Sequence, residues 1–223
     1  TYDRGVMVHG TPINGIYYSA AYINGNNTDE TDVRYDNKDT TARLTANLAQ
    51  FAEWKDSVVH VGGFAAKGKQ EAGSSVPILR TEARGYSFFE TAAISRNTFS
   101  ETVDRTRSGV EVALARGPVK FQSEYIRADF DGRSFDRDMA AWYASANWLV
   151  TGESFSSTYK DGAFGRLSPK KNFLFDGDGW GAVQLGIRYS SFDADDFVLL
   201  NPEGTGRLAA NKVNQANAWT LGA

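Results

Sequence analysis

The amino-acid sequence predicts an all-β protein, an antiparallel transmembrane β-barrel, and two observations lead to it. The first is a recurring alternation of apolar with polar or small side chains, clearest around Leu185 and Ile187. A β-strand repeats every two residues, so this pattern gives each strand one apolar and one polar face. The second is that short and long connections alternate along the chain. No apolar run approaches the ~18 residues of a spanning helix, which excludes a helical membrane protein but not a barrel.

Nine segments carry the strand pattern, and we expect them to belong to a single partial barrel domain covering residues 1–223. The predicted strands are residues 4–10, 14–23, 40–52, 57–67, 106–116, 119–128, 139–151, 179–192 and 214–223. In a soluble sandwich their apolar faces would pack in a protein core. In a membrane barrel the apolar faces meet lipid and the polar faces line a water-filled pore.

The lengths of the connections favour the barrel. Short turns are predicted at 53–56, at 116–118 and at Thr11–Pro12, whereas the long polar connections are 24–39, 68–105, 129–138 and 193–213. Short turns at one end of the strands and long loops at the other are typical of outer-membrane barrels. The exception is 152–178, which by strand parity belongs to the short-turn end although it is long. Two short helical turns are also predicted, at 91–95 and 208–215.

Composition limits the function classes further. The chain has 223 residues, no Cys and a formal net charge of −3, which excludes a disulfide framework, a thiolate metal site and nucleic-acid binding by overall charge. Any handling of anions must therefore rely on local groups of cations. The chain begins without an initiator Met and ends inside a strand pattern, so we expect a fragment of a longer protein.

Several motifs resemble the phosphate-selective porin O and P family of Gram-negative outer membranes. They include GVMVHG, GPVKFQSEY and GWGAVQLGIRYS, and together they lie at 5–10, 22–25, 59–62, 109–113, 117–125, 149–153 and 179–190. The resemblance implies a 16-stranded, trimeric barrel that passes small anions such as phosphate or polyphosphate. It also implies lipid and lipopolysaccharide as surroundings, passive diffusion without catalysis, and no cofactor. This chain, with about nine strands, would be a middle portion of such a barrel.

An anion pore needs cations where permeating anions shed water, and the planar fork of Arg matches phosphate oxygens. The candidate residues are Arg43, Arg107, Lys120 and Arg188 on polar strand faces, Arg80 and Arg84 in loop 68–105, and Arg166 and Lys170 in segment 152–178. The apolar middle of loop 68–105 predicts packing on another part of the protein, as an inward-folded loop would do. Segment 152–178 is a second candidate for folding into the lumen.

A structural role is the alternative for these cations. Cross-strand ion pairing is an equal alternative for Arg107 and Lys120, and Glu111 on the neighbouring strand is the better-placed partner of Lys120. Aromatic residues near strand ends favour an interfacial girdle over a core. They are Tyr18, Tyr22, Trp54, Trp142, Trp148, Trp180, Tyr189 and Trp219.

Two other functions compete with the anion channel. A soluble β-sandwich that binds carbohydrate would bury Val183, Leu185 and Ile187 under a second sheet. A barrel enzyme such as a lipase would need a Ser–His constellation, which the sequence does not offer around His9 or His60. No metal site is predicted, although the acidic loop tip 193–196 is a hypothetical contact for divalent cations that bridge lipopolysaccharide.

Overall fold

Nine long strands pair with their neighbours into one antiparallel sheet. The computed structural model describes residues 4–24, 38–72, 78–81, 85–91, 101–133, 136–173, 179–198, 208–209 and 211–223. The strands of the sheet, in order, are β1 (Gly5–Ile13), β2 (Ile16–Ile23), β3 (Asp39–Asn47), β4 (Ser57–Gln70), β7 (Val103–Arg116), β8 (Val119–Asp131), β9 (Asp136–Leu149), β12 (Gln184–Asp193) and β13 (Gln215–Gly222). The all-β prediction and the count of nine strands are confirmed. The sheet is open in the described chain, with β1 and β13 at its edges.

Smaller elements lie between these strands. The helix α1 (Leu48–Phe51) follows β3, and two hairpins, β5–β6 (Leu79–Arg80 and Ser87–Phe89) and β10–β11 (Tyr159–Lys160 and Ala163–Phe164), lie in long connections. Single 3₁₀ turns are formed by Ser156–Thr158 and Asp195–Val198. None of the helices in the described ranges has the length and apolarity needed to cross a membrane.

The antiparallel register gives the sheet an apolar face. Leu44, Val110 and Tyr125 occupy one row across β3, β7 and β8, and the same row continues to Trp142 on β9. Their side chains are exposed, and Leu185 is 43% exposed. A β-sandwich requires these residues to be covered, so their exposure is the opposite of what that alternative predicts. Exposed apolar strand faces are typical of barrels that meet lipid.

The opposite, polar face carries charged side chains along the middle of the strands. Arg43, Glu111, Lys120 and Arg188 all project from it, because each stands one residue out of phase with the apolar rows. Two chain segments pack on this face, one at each end of the strands. The face therefore has an interior character although the sheet is not closed.

At the long-loop end, a cluster of aromatic and aliphatic side chains covers the polar face. We call it the phenylalanine cluster; its buried members are Phe89, Val103, Phe130, Phe192, Ala194 and Phe197. Phe89 belongs to the loop hairpin β5–β6, and its ring centroid lies 5.1 Å from that of Phe192 on β12. The prediction that the apolar middle of loop 68–105 packs on another part of the protein is confirmed for Phe89.

At the short-turn end, residues 152–173 fold back over the polar face; we call this segment the strap. Phe155 of the strap packs against Val58, Ala115 and Leu149 of the sheet, and all four side chains are buried. The expectation that segment 152–178 could fold inward is met by its described part, residues 152–173, whereas 174–178 lie outside the described residues.

Some predicted boundaries are wrong. The first turn is Asn14–Gly15 and not Thr11–Pro12, which lie inside β1 at a register irregularity. Pro12 breaks the ladder without ending the strand, whereas Gly15 adopts a φ of 91° that a tight turn requires.

Two strands are shorter than predicted. β3 ends at Asn47, because the Asn47 side chain accepts a hydrogen bond from the Ala49 N–H and caps α1. β12 begins at Gln184 and not at 179, since Gly181 has a φ of 73°, which interrupts the extended chain. The first error comes from a polar side-chain cap and the second from the backbone conformation of a glycine, and the alternation of apolar residues indicates neither.

The helical turn predicted at 208–215 does not form in the residues described there. Leu208 pairs with Thr91 in an isolated bridge, and the N–H groups of Ala209 and Val213 donate to Glu90 and Phe88. One local turn bond forms, from the Lys212 N–H to the Ala209 carbonyl at 3.2 Å, while the bonds to loop 87–91 hold the segment in a non-helical conformation. Residues 92–95 of the other predicted turn lie outside the described residues.

Candidate functional site

The strap is held over the polar face by contacts at its root, its middle and its tip. At the root, the hydroxyls of Ser154 and Ser156 both donate to Asp56, in the turn before β4; the Ser156 bond measures 2.7 Å. These two hydrogen bonds stabilise the carboxylate and lower the pKa of Asp56. Asp56 therefore remains ionised at neutral pH and fastens the strap to the neighbouring turn.

The strap closes on itself at the same level. Lys170 near its end donates from Nζ to the carbonyl of Gly152 at 2.6 Å, and from its backbone N–H to Glu153 at 3.1 Å. The Thr151 hydroxyl also donates to Glu153, and these hydrogen bonds lower the pKa of that carboxyl. Lys170, predicted as an anion-binding candidate, thus makes bonds that shape the strap.

The tip is the hairpin β10–β11, whose turn is Asp161–Gly162. Both residues have positive φ, 50° and 72°, as in the two-residue turns that close hairpins. A Cβ on Gly162 would lie 2.4 Å from Thr45 Oγ1, so only glycine fits against β3. The tip reaches β1, where the Thr11 hydroxyl donates to Asp161 at 3.4 Å.

The middle of the strap meets His60, which is 5% exposed on the polar face of β4. Tyr159 Oη lies 2.7 Å from His60 Nδ1, and burial raises the pKa of Tyr159 to about 12. The phenol therefore stays protonated and can donate a hydrogen bond to Nδ1. The other ring nitrogen, Nε2, faces Glu111 Oε1 at 3.8 Å.

Arg43 links the strap and the sheet. Its Nε donates to Glu111 Oε1 at 2.7 Å, and its Nη2 donates to the carbonyl of Gly162 at 2.8 Å. The guanidinium thus bridges β7 and the strap tip from its position on β3. We call Arg43, His60, Glu111, Tyr159 and Gly162 together the latch.

Lys120 lies beside the latch under the strap. Its ammonium is 4.6 Å from the ring centroid of Phe164 and 5.1 Å from that of Phe155, in two cation–π contacts. Within the described ranges, Lys120 forms no ion pair. The pair with Glu111 that was the alternative does not form, because Glu111 stands opposite Glu124 in the register and bonds to Arg43.

A cavity of about 240 Å³ separates the strap from the sheet at this point. Its lining combines the latch with the ammonium of Lys120, the amide of Gln122 and the ring of Phe164. The cavity is therefore mostly polar, and one unpaired ammonium points to it.

Two further arginines lie at the other end of the polar face. Arg105 and Arg107 donate to the same oxygen of Asp39, Oδ2, at 2.6 and 2.7 Å. Asp39 is 1% exposed. The ion pair that was the alternative for Arg107 is thus present in the structure, and Arg105 shares the same carboxylate.

The remaining candidates are dispersed. Arg188 lies with its guanidinium 4.0 Å from the ring centroid of Tyr143 and donates to Ser190 at 3.0 Å. Arg80 is exposed on β5, Arg166 is exposed on the strap, and Arg84 lies outside the described residues. Thus Arg43, Lys120 and the strap come together in one site, whereas Arg80 and Arg188 lie apart from it.

Several residues of the site were not singled out from the sequence. His60, Tyr159, Asp39 and Arg105 join it only through the register of the strands and the fold of the strap. The sequence contains a weak signal for two of them. His60 lies in the polar phase of a strand and Tyr159 in an unusually long turn, and each side chain needs a hydrogen-bond partner when it is buried. Among the described residues, no group of three or more His, Cys, Asp or Glu side chains is arranged to hold a metal ion.

The comparison with known proteins agrees with this architecture, an open antiparallel sheet whose polar face is covered by two chain segments. The family model described as phosphate-selective porin O and P matches residues 1–223. No curated protein matches the chain. An antiparallel sheet with an exposed apolar face and a covered polar face is what a porin wall requires. The chain therefore belongs to the phosphate-selective porin O and P family of outer-membrane porins.

Proposed function

We propose that this porin lets small anions, phosphate or polyphosphate foremost, diffuse passively along its polar face, and that the gap under the strap is part of their path. Lys120 is the observation that carries the proposal. Its ammonium borders a 240 Å³ cavity, rests on two aromatic rings and forms no ion pair within the described ranges. A cation held by rings instead of a carboxylate is not neutralised by an acid and can attract a passing anion.

The surroundings of Lys120 support weak and reversible binding. Glu111, the carboxylate that lines the same cavity, is already paired with Arg43. Gln122 and Tyr159 add neutral hydrogen-bonding groups to the same cavity. Conduction requires an anion to enter readily and leave readily, which one cation with neutral neighbours satisfies better than a cage of several arginines.

At the long-loop end of the face, Arg105 and Arg107 are both engaged in ion pairs with the carboxylate of Asp39. The proposed path therefore depends foremost on Lys120, which rests on aromatic rings at the other end. By family, we further propose a homotrimer that resides in the Gram-negative outer membrane among lipid and lipopolysaccharide.

Single-channel recording of the full-length protein in planar bilayers tests the proposal. The zero-current potential in a phosphate or chloride gradient should indicate anion preference. Lys120→Gln should shift that potential toward zero, because the channel loses part of its preference for anions. Lys67→Gln, which removes an exposed cation from the apolar face of β4, is the matched control and should leave it unchanged. Cation preference of the native channel would contradict the proposal.

The loop arginines remain a separate proposal. Arg80 and Arg84 belong to loop 68–105, whose Phe89 packs over the polar face. Replacing both arginines with alanine should reduce the block of chloride current by phosphate if that loop contributes to binding. An unchanged block would limit the anion path to the strap and the strand faces.

A further inference from the structure

We propose that a groove at the short-turn end of the apolar face binds an anionic glycerophospholipid, with its phosphate at the rim and an acyl chain along the strands. The groove has a volume of about 840 Å³ and lies between the connection that precedes β4 and the hairpin β7–β8. It opens on the face opposite to the strap, so it is separate from the anion path.

The wall of the groove is apolar and continuous with the lipid-facing surface. Leu114, Val119 and Phe121 line it and are 50%, 53% and 41% exposed. Leu114 and Phe121 stand directly opposite each other in the register, which makes a smooth apolar strip along β7 and β8. Such a strip accommodates an acyl chain lying parallel to the strands.

The rim carries an interfacial aromatic residue. Trp54 lines the groove and is 61% exposed, although its backbone N–H is fixed by a 2.9 Å bond to the carbonyl of Ala49. Tryptophan prefers the level of the lipid headgroups, where its ring meets the acyl region and its N–H remains in a polar environment. The rim of the groove is therefore the level expected for a headgroup.

Two cations stand next to Trp54. Arg116 is opposite Ser57 in the register, and the Ser57 hydroxyl donates to the carbonyl of Lys55 at 3.0 Å. The side chains of Lys55 and Arg116 both line the groove, and neither forms an ion pair within the described ranges. Glu53 is the one acid in the lining, and Asp56 of the neighbouring turn, which interacts electrostatically with Arg116, is hydrogen-bonded by the strap serines Ser154 and Ser156. Lys55 and Arg116 are therefore the groups of the rim that can donate to a phosphodiester.

The arrangement is held in place before a ligand arrives. The N–H of Gly117 donates to the carbonyl of Asp56 at 3.2 Å and ties the two turns that carry the cations. An ion such as inorganic phosphate would use the cations but leave the apolar strip unused, so an amphiphile fits better. Short turns face the periplasm in outer-membrane barrels, which assigns the ligand to the periplasmic leaflet.

Native mass spectrometry of the full-length protein, titrated with phosphatidylglycerol in detergent, tests this site. Each removed cation should weaken binding about fivefold, and Lys55→Ala with Arg116→Ala about thirtyfold. Lys67→Ala with Lys69→Ala removes two exposed cations from the far end of the same face of β4 and should leave binding unchanged. Because Arg116 closes a hairpin, Lys55→Ala alone provides the test if the double variant does not fold.

A competitor distinguishes the sources of phosphate. Inorganic phosphate should not displace phosphatidylglycerol, since it lacks an acyl chain to occupy the apolar strip. Displacement by inorganic phosphate would overturn the proposal. Equal weakening in the Lys67 and Lys69 control, or undiminished binding by Lys55→Ala, would overturn it as well.

Discussion

The strap and the phenylalanine cluster both cover the polar face, but they are held there by different forces. The cluster at the long-loop end is a set of interlocking rings, with Phe89 and Phe197 fully buried. The strap at the short-turn end has a smaller apolar contact around Phe155 and adds the latch, a chain of directional polar bonds. Apolar packing supplies stability, whereas polar bonds also fix positions and leave charged groups facing the gap.

Because of this difference, we expect the two ends of the wall to have different roles, one in stability and one in permeation. The buried members of the cluster are all apolar, so a solute on the path proposed above would pass beside the cluster. The end closed by the latch has a polar cavity under it, next to Lys120. Changes in the cluster should therefore alter stability foremost, and changes in the latch should alter permeation foremost.

The largest effect on stability is expected for Phe89→Ala. The substitution leaves a cavity among Phe130, Phe192 and Phe197, and comparable losses of a buried phenyl ring cost about 3–5 kcal/mol. The midpoint of urea unfolding of the full-length protein, followed by heat-modifiable gel mobility, should decrease clearly while ion selectivity is retained. Ile78→Ala, at a position 48% exposed, is the control. Equal stability of the two variants would show that the ring cluster does not hold the loop.

A smaller effect on stability, but a larger one on conductance, is expected for Gly162→Ala. The φ of 72° and the 2.4 Å approach to Thr45 Oγ1 oppose a Cβ, and a residue forced into this conformation costs about 1–2 kcal/mol. The strap tip should lift from β3, and single-channel conductance should rise. Gly85→Ala, where a Cβ meets nothing within 4 Å, serves as the control. Unchanged conductance would mean that the tip does not narrow the path.

Removal of one hydrogen bond of the latch should have a smaller effect on stability and on the current. Tyr159→Phe deletes the hydroxyl that bonds to His60 and should cost about 0.5–1.5 kcal/mol. The strap should open more often, which single-channel recordings would register as increased current noise. Tyr86→Phe, which removes a hydroxyl bonded to the Asn211 carbonyl at the other end, is the comparison variant. Identical noise in both variants would argue against a gating role for the latch.

The smallest effect is expected from the ionisation of Asp56, at the root of the strap. Hydrogen bonds from Ser154 and Ser156 lower the pKa of Asp56, so ionised Asp56 stabilises the folded state above its unfolded pKa of about 3.9. This contribution should be lost as the pH falls through the lowered folded value. Current noise should therefore rise at acidic pH in the native channel, whereas Asp56→Asn should show the increased noise already at neutral pH. A native-like pH profile in that variant would exclude Asp56 as the cause.

Much of the wall could be predicted from the sequence because alternation is a local property. The rows of apolar residues through Leu185 and Ile187 follow directly from the two-residue period of a strand. The length of segment 152–178 also signalled an unusual turn. The family resemblance then supplied the barrel, which an isolated alternating segment does not distinguish from a sandwich.

The latch could not be predicted in the same way, since its pairs depend on register. Arg43 and Glu111 are 68 residues apart, and they meet because β3, β4 and β7 align. The neighbouring hairpin offered Lys120 as a simpler partner for Glu111. A one-residue change of register would have reversed the faces, so only the full set of pairings decides which cation meets which acid.

The strap also has an unusual relation to the wall that carries it. β9 and β12 pair directly, from Leu149 with Gln184 to Ala140 with Asp193, although the strap separates them in the chain. The strap is thus an insertion within a hairpin, and its length and sequence can change without altering a single pairing of the wall. If the strap sets solute preference as proposed above, that preference can evolve by exchange of the strap while the strand pairings of the wall stay the same.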